Sequence, residues 1–414
     1  MNQDFRIAII SDNFPPTPSG GIASASYNLY KMLKDRKFNV RVFTYSEDEI
    51  LSRDLQSNND IIRNGASKYE IILERFQSIL KRKFGKWFLH HKLFVGLAYQ
   101  TQIILNSKYG AKKINKELTK FHPNIVFIPD FGVPGYSINK LKNTKYYHVS
   151  HHNPIRFLNN PLLIIHSEED ARIAINYEQK SLSKIDKVIC PSNYQKKVFE
   201  ETFTFKNEIL VIPNIVDDDY VKNVFKKDIH IYMNLDINYP IVYIPSAASK
   251  IKGEQYVIEI IRRISAELNN QVGFYLSGGL SDNQRFELKI LEKYHVFAPG
   301  MVNNETNISY IKDCRICVSP TLLESFGMAL LEALFCQLPC VTFNVGGNQD
   351  IIVNGENGYL VPFLDMEDLI EKSVMILKNN QFRNELMRNI QRLNKKFSSK
   401  VVFEKYILLF ESKE

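Results

Sequence analysis

The sequence predicts an α/β fold built from two doubly wound, Rossmann-like domains. Its 414 residues exceed what one ordinary hydrophobic core holds, and a prior of about 100 to 200 residues per domain gives two. Short β-branched or aromatic runs alternate with helical patterns, and this alternation starts again after a charged break. Strands that alternate with helices imply parallel sheets covered by helices on both faces.

The predicted strands form two series. The first comprises RIAIIS, NVRVFTY, NIVFIP, KYYHVSHH, KVICPS and EILVIP, and the second PIVYIPSA, VGFYLSGG, HVFAPGMV, RICVSP and LPCVTFNV. The charged, Asn-rich stretch from Val216 to Tyr239 lies between them and predicts a linker. We expect one domain over residues 1–220 with a helical insertion at about 46–115, a second over 221–381, and terminal helices over 382–414 packing back toward the first.

The composition excludes several classes of protein. With 44% apolar and 24% charged residues, the chain is globular rather than disordered. Residues 1–10 lack the features of a secretory signal, and the apolar runs stop short of the roughly 18 residues that a membrane span needs. We therefore expect a cytoplasmic protein. The net charge of +8 selects no partner by itself, and without a recognition module we expect no nucleic-acid binding.

Two carboxylates in the second series are the strongest candidates for a site. Glu324 lies in the predicted loop after the strand RICVSP, and Glu332 lies eight residues further, on the following helix. A mostly helical interval would separate them by roughly 12 Å, about the span from the ribose of a nucleoside diphosphate to an attached sugar. The alternative is a solvated loop residue and an exposed helical one.

Backbone amides between these carboxylates predict a diphosphate site. Ser325, Phe326 and Gly327 lie at the start of the predicted helix, where unpaired N–H groups and the helix dipole favour an anion. Glycine at position 327 lets the ligand approach the backbone closely.

An ordered series of motifs resembles glycosyltransferase family 4, a retaining family with the GT-B fold. The segment from Glu324 to Glu332 resembles its E-x7-E signature. PPTPSGGIASASYNLYKML resembles its glycine-rich loop, KVICPSNYQKKVF one of its strand-helix units, and VIPNIVDDDY its linker entry. The resemblance covers roughly residues 5–380. It implies two domains facing across a cleft, and transfer of a sugar from a nucleotide-diphosphate sugar to an acceptor glycan, lipid-linked or protein-linked, in envelope or surface polysaccharide or glycoconjugate biosynthesis.

The family resemblance implies a donor-binding role for each residue that matches a motif. Glu332 would bind the ribose hydroxyls, Glu324 would act near the donor sugar, and Lys252 would hold the departing phosphate. The backbones of Ser325, Phe326, Gly327 and Met328 would line the pyrophosphate and sugar, Met301 and Val302 the nucleobase.

The first domain contributes two further candidates by resemblance. Gly21, with Gly20, opens the first helix and would face the phosphate or acceptor. His151 or His152 matches the family histidine that approaches the donor sugar. We assign His151; the alternatives are His152, or a structural role for both.

No metal or other cofactor is expected. The sequence lacks an Asp-x-Asp motif between strands of the kind that marks metal-dependent sugar-nucleotide sites. The cysteines at 314, 317, 336 and 340 imitate a zinc-ribbon spacing, but their predicted positions on strands and junctions indicate small buried hydrophobes.

Three positions depart from the family pattern. Ala247 replaces an Arg five residues before Lys252, which motivates an alternative function as a catalytically weak, nucleotide-sugar-binding or scaffold relative. Ile215 replaces a linker glycine, and Asp350 replaces the glutamate after the double glycine.

The insertion contains a basic, amphipathic segment over residues 81–94. Such a segment predicts attachment to an anionic membrane surface, at the inner face of the membrane. A solvated helix whose apolar face packs on its own domain explains the same pattern.

Overall fold

The computed structural model describes residues 5–16, 20–45, 60–64, 99–158, 162, 168–290 and 294–411. The chain divides into two compact units, Met1–Asn214 and Ile215–Glu414, here called unit 1 and unit 2. Each unit contains a parallel sheet with helical connections, so the predicted pair of Rossmann-like α/β domains is confirmed. The segment over 81–94 lies outside the described residues.

Unit 1 contains a seven-stranded sheet in the order β3-β2-β1-β4-β5-β6-β7. The strands are β1 (Arg6–Ser11), β2 (Asn39–Thr44), β3 (Ile61–Ile62), β4 (Ile125–Pro129), β5 (Lys145–Val149), β6 (Lys187–Cys190) and β7 (Ile209–Val211). Each of the six predicted runs contains one of them. Strand β3 was not predicted, because two residues at a sheet edge leave no periodicity to detect.

Helices connect these strands. They are α1 (Gly21–Asp35), α2 (Tyr99–Phe121), α3 (Ile155–Leu158), α4 (Glu168–Ser181) and α5 (Asn193–Thr202). Helix α5 begins three residues after β6, and a serine caps its start. The hydroxyl of Ser192 accepts a hydrogen bond from the Gln195 amide at 3.0 Å, which satisfies one of the unpaired donors of the helix start.

Unit 2 contains a six-stranded sheet in the order β10-β9-β8-β11-β12-β13. The strands are β8 (Ile241–Ile244), β9 (Gly273–Leu276), β10 (His295–Phe297), β11 (Ile316–Ser319), β12 (Cys340–Phe343) and β13 (Gly358–Val361). All the strand pairs in both sheets are parallel. The unpredicted β13 is half-buried and begins at glycine, which weakens the strand signal of its sequence.

The helices of unit 2 connect its strands and form the C-terminal part of the described chain. They are α6 (Asp218–Asn223), α7 (Glu254–Glu267), α8 (Asp282–Ile290), α9 (Asn304–Ile311), α10 (Met328–Phe335), α11 (Asn348–Ile351), α12 (Met366–Lys378), α13 (Asn380–Leu393) and α14 (Ser399–Glu411). Both terminal helices belong to unit 2. The Ser399 amide donates to Asp218 Oδ1 at 2.9 Å, which ties the start of α14 to α6.

The core of unit 2 includes cysteines as ordinary apolar side chains. All five cysteines of the chain are buried and free of disulfides. Cys317 and Cys340 are register partners on β11 and β12, and the cysteines at 314 and 336 join the same apolar cluster. In the part of the chain that the structure describes, no helix has the length and apolar character needed to span a bilayer.

One prediction concerns helix α7, whose apolar stripe faces the sheet. Ile261 is fully buried there, and Arg262 beside it is exposed. Ile261→Ala should lower the free energy of unfolding by about 2–5 kcal/mol, because it removes buried methyl groups and leaves a cavity. Arg262→Ala, the control, should change it by less than about 0.5 kcal/mol. Urea denaturation followed by circular dichroism measures both, and equal midpoints would contradict the assignment of the stripe to the core.

Candidate active site

The loop after β11 holds Glu324 against Lys252. The Lys252 ammonium lies 2.6 Å from Glu324 Oε2, and the two side chains are 25% and 17% exposed. Lys252 ends a 3₁₀ turn that follows β8, and the loop after β11 begins beside it because β8 and β11 are neighbours in the sheet. The pairing places a fixed positive charge beside a carboxylate at one edge of the sheet.

A second loop fixes the backbone of Glu324. The Gly347 amide donates to the Glu324 carbonyl at 3.1 Å. Gly346 has a φ of +55°, and a Cβ at this position would lie 1.9 Å from the same carbonyl oxygen. Only glycine allows the backbone after β12 to pass this closely, so the double glycine sets the position of the Glu324 loop.

Helix α10 begins just after this loop. Gly327 precedes it with a φ of +103°, and no side chain caps the helix. The amides of Ser325 and Phe326 donate to Glu324 Oε1 at 3.1 and 3.4 Å, so this carboxylate faces its own loop as well as Lys252. Because the helix starts only at Met328, half of the interval to Glu332 is loop, and the helical rise alone does not give the separation of the carboxylates.

Glu332 lies on α10 in a different environment. It is half-buried, and in the part of the chain that the structure describes its carboxylate has no hydrogen-bond or ion-pair partner. Burial raises the pKa of Glu332 to about 7. The side chain therefore offers an acceptor that no protein donor occupies.

The other positions of unit 2 that the sequence singles out lie on loops after β10 and β8, which flank β9 in the sheet. Met301, after β10, is 76% exposed, and Val302 packs partly against the core. Ala247, after β8, is buried, and its amide and carbonyl are bonded to Ser277 and Gln284 at 2.9 and 2.7 Å. The longer side chain of an arginine at position 247 would not fit where Ala247 is buried, and Lys250, three residues further, is exposed.

In unit 1, the loop after β5 is held by one carboxylate at the end of β4. Asp130 Oδ2 accepts hydrogen bonds from the amides of His151, His152 and Asn153 at 2.7, 2.6 and 3.3 Å, and from the Ser150 hydroxyl at 3.3 Å. Three successive amides that converge on one oxygen form an anion-binding concavity. Asp130 thereby fixes the backbone of both candidate histidines.

The two histidines differ in their surroundings. His151 is buried, and its Nε2–H donates to Asn214 Oδ1 at 2.8 Å, while its Nδ1 has no partner in the described part of the chain. The His152 ring instead lies 2.8 Å from the Gln100 amide nitrogen and packs against the rings of Phe131 and Phe157. His151 is thus the histidine that keeps an unused ring nitrogen.

The start of α1 carries the remaining assigned residue. Gly20 and Gly21 are exposed, and a Cβ at either position would meet no atom within 4 Å. The preceding loop is held by Arg63, whose guanidinium donates to the carbonyls of Phe14 and Pro15 at 2.8 and 2.5 Å. Arg63 lies in the insertion and was missed by sequence reasoning.

Asp130 was also missed, although its sequence contains a usable signal. It directly follows the buried run IVFIP, where the carboxyl end of a parallel strand places side chains at the edge of the sheet. Asn214 lies within VIPNIVDDDY, which sequence reasoning treated only as a linker entry. Its contact with His151 joins residues 63 positions apart, and no local pattern reveals it.

The described residues also include a cluster of Asp228, His230 and Asp313 that has metal-ligand chemistry. His230 Nδ1 lies 3.0 and 3.1 Å from oxygens of Asp228 and Asp313, and its Nε2 lies 3.0 Å from the Tyr239 carbonyl. Lys226 lies 2.7 Å from the second oxygen of Asp313. These are distances of hydrogen bonds and ion pairs.

Comparison with known families covers both units. The model described as Glycosyltransferase Family 4 matches residues 19–220, and the one described as Glycosyl transferases group 1 matches residues 226–393. The chain belongs to glycosyltransferase family 4. The fold and the family implied by the motifs are confirmed.

The chain is similar to three further proteins, two by sequence and one by fold. An uncharacterized glycosyltransferase, MJ1178, of Methanocaldococcus jannaschii is 24% identical over 92% of this chain and 91% of its own. The capsular polysaccharide biosynthesis glycosyltransferase CapM of Staphylococcus aureus is 34% identical over 23% of this chain and 26% of its own. The structure of Anabaena HepE in complex with UDP-glucose has a TM-score of 0.68 at 15% identity, covering 99% of this chain and all of its own.

The raised pKa of Glu332 predicts a pH-dependent effect on stability. An unfolded glutamate titrates near 4.5 and the folded one near 7, so ionisation costs native stability as pH rises through this window. Glu332→Gln stays neutral, and should raise the melting temperature above that of the wild-type family 4 enzyme at pH 8 but not at pH 4.5. Each kcal/mol is worth about 2–4 °C at this domain size.

Thermal unfolding at both pH values measures this difference. Glu371→Gln, which changes an exposed carboxylate on α12, is the matched control and should shift neither melting temperature. The same shift for Glu332→Gln at pH 4.5 and pH 8 would mean that charge burial at position 332 is not its cause.

Proposed function

We propose that this family 4 glycosyltransferase is a retaining, metal-independent hexosyltransferase with a nucleotide-diphosphate sugar as donor. Its acceptor is a glycan, lipid-linked or protein-linked, in envelope or surface polysaccharide or glycoconjugate synthesis. The observation that carries the proposal is the arrangement around α10. A cation paired with one carboxylate lies before a helix start that no side chain caps. On the same helix follows a carboxylate that has no partner among the described residues.

Each part of this arrangement suits one part of the donor. Hydroxyl groups of the ribose would donate to the Glu332 carboxylate, which has no donor of its own in the described chain. The uncapped amides at Gly327 and Met328, together with Lys252, would bind the diphosphate. Met301 and Val302 are assigned to the nucleobase, and His151 and Gly21 of unit 1 to the sugar and phosphate, by the family resemblance.

Lys252 would supply most of its stabilisation as the reaction proceeds. The bond from the anomeric carbon to the phosphate oxygen breaks, and negative charge grows on the leaving phosphate beside the ammonium group. The acceptor oxygen bonds to the same face of that carbon, and its proton passes to the phosphate. The anomeric configuration is thereby retained, and no enzyme nucleophile is required. Glu324 holds Lys252 in place and faces the sugar.

Relatives support the substrate class. HepE was solved with UDP-glucose, and CapM is a glycosyltransferase of capsular polysaccharide biosynthesis. Transfer of a sugar from a sugar nucleotide to a surface glycan agrees with both descriptions and with the donor site proposed at α10.

Donor binding gives the first test. A thermal-shift screen of nucleoside diphosphates and nucleotide sugars should raise the melting temperature with one nucleobase, because a ligand that binds the folded state stabilises it. At 100 times its Kd, a ligand contributes about 2.7 kcal/mol. Glu332→Ala should lose this response, and Glu371→Ala should keep it. No shift with any nucleotide at millimolar concentration would overturn the donor assignment.

Turnover of the selected donor tests the chemistry. Release of the nucleoside diphosphate should continue in excess EDTA and fall about 100-fold or more in Lys252→Met, since the leaving group loses its cation. NMR of the product should show the anomeric configuration of the donor. Inhibition by EDTA would refute metal independence, and an inverted product would refute retention.

The basic segment over 81–94 is proposed to attach the enzyme to an anionic membrane surface. Its cations each contribute about 1 kcal/mol near anionic headgroups. The wild type should float with liposomes containing anionic lipid at low salt, and changing Lys81, Arg82, Lys83 and Lys86 to Glu should abolish flotation. A wild type that stays in the bottom fraction would exclude the attachment.

A further inference from the structure

The loop over residues 150–153 is held from both sides by buried groups of opposite charge. Its amides donate to Asp130, which is 2% exposed. Its carbonyls face Arg156, which is 6% exposed and donates from one nitrogen to the carbonyls of His151 and His152 at 2.9 and 3.2 Å. Peptide groups aligned between an anion and a cation leave the backbone little freedom to rotate.

Both charged groups also contact elements outside the loop. The Asp130 amide donates to the Val149 carbonyl at 3.1 Å, so Asp130 is fixed to β5 itself. The same nitrogen of Arg156 also lies 3.3 Å from Gln195 Oε1, and Gln195 donates to the Ser150 hydroxyl at 3.0 Å. Helix α5 therefore supports the cation, and the end of β4 supports the anion.

The His151 ring is fixed as firmly as its backbone. Its Nε2–H donates to Asn214 after β7, which selects the tautomer and leaves Nδ1 as an unprotonated acceptor. Burying two charged groups costs free energy that a well-packed apolar pair would not. The two buried charges are kept despite this cost, and together they orient Nδ1 of the His151 ring. We infer that this nitrogen has a function.

We propose that Asp130 and Arg156 are the positioning residues of His151, acting as a charged clamp on the 150–153 loop that aims Nδ1 at a hydroxyl group of the donor sugar. This inference rests on the proposed function, in which His151 approaches that sugar. It assigns roles to two residues outside the motifs that identify the family. Asn214 completes the arrangement by holding the far side of the ring.

The charges of the clamp influence the pKa of His151, which uncharged packing would not do. Burial is the largest influence on His151 and lowers its pKa. Asp130 and the bond to Asn214 act to raise that pKa, whereas Arg156 and the neighbouring His148 act to lower it further. The two members of the clamp therefore act on His151 with opposite signs.

The test uses two single variants of the whole chain, Asp130→Asn and Arg156→Gln. NMR of ring-labelled histidine follows the titration of His151, whose signal is assigned by its loss in His151→Gln. Asp130→Asn should move the pKa of His151 down, and Arg156→Gln should move it up. Arg172→Gln and Glu168→Gln remove charges from an exposed pair on α4 and should leave it unchanged.

Activity supplies the second readout. Both clamp variants should lose about 10- to 100-fold in kcat, since a displacement of about 1 Å at a reacting group costs that much. Their KM for the donor and the thermal shift with nucleoside diphosphate should stay within about twofold, because the nucleotide is assigned to α10. Arg156→Lys keeps the charge without the guanidinium, and should keep the wild-type pKa of His151 while losing kcat.

Each outcome decides between the two proposals. Shifts of the same sign, or none, overturn the clamp, as does full kcat in both variants. If His151→Gln retains full activity, the role of His151 in the proposed function fails, whereas the opposite shifts would still establish the electrostatics of the clamp. If Asp130→Asn does not fold, as judged by circular dichroism, Arg156→Gln and Arg156→Lys decide alone: an unmoved pKa of His151 in Arg156→Gln refutes the proposal.

Discussion

Parallel pairing of every strand is the constraint on which both candidate regions depend. In a parallel sheet, the loops that follow the strands emerge at the same edge, so residues far apart in sequence meet there. Lys252 follows β8 and meets Glu324 after β11, 72 residues later. Asp130 follows β4 and meets the loop after β5. The sheet supplies proximity, and the loops need only supply the side chains.

Two carboxylates of unit 2 acquire different character from their surroundings. Glu324 has an ammonium group at 2.6 Å and two backbone amides, which stabilise its charge. Glu332, half-buried on α10, has none of these within the described chain, and burial raises its pKa to about 7. Two residues of the same type can perform different tasks when their surroundings differ. In the proposed function, Glu324 holds a cation and Glu332 accepts hydrogen bonds from hydroxyl groups.

Backbone shape matters as much as charge at this site. Gly346 passes so close to the Glu324 carbonyl that no side chain fits, and Gly327 adopts a positive φ just before α10. In unit 1 the backbone is fixed by Asp130 and Arg156 instead. The loop of Glu324 is held by close backbone packing at glycines, and the 150–153 loop is held by two buried charged side chains. Each loop is thereby fixed at the edge of a sheet. Rigidly held groups need less reorganisation when charge develops during a reaction.

The sequence by itself determined the two-domain α/β class, eleven of the thirteen strands described, and the family. It also nominated Glu324, Glu332 and Lys252 as candidate site residues. These features are local, because alternating apolar runs and short motifs carry their meaning within about ten residues. The edge strands β3 and β13 were missed for lack of a strong pattern. Only the tertiary structure decided that Glu324 pairs with Lys252, that His151 rather than His152 keeps an unused nitrogen, and that Asp130, Arg156 and Asn214 surround it. Such contacts join distant segments across a sheet edge, and their geometry follows from packing rather than from any run of neighbouring residues.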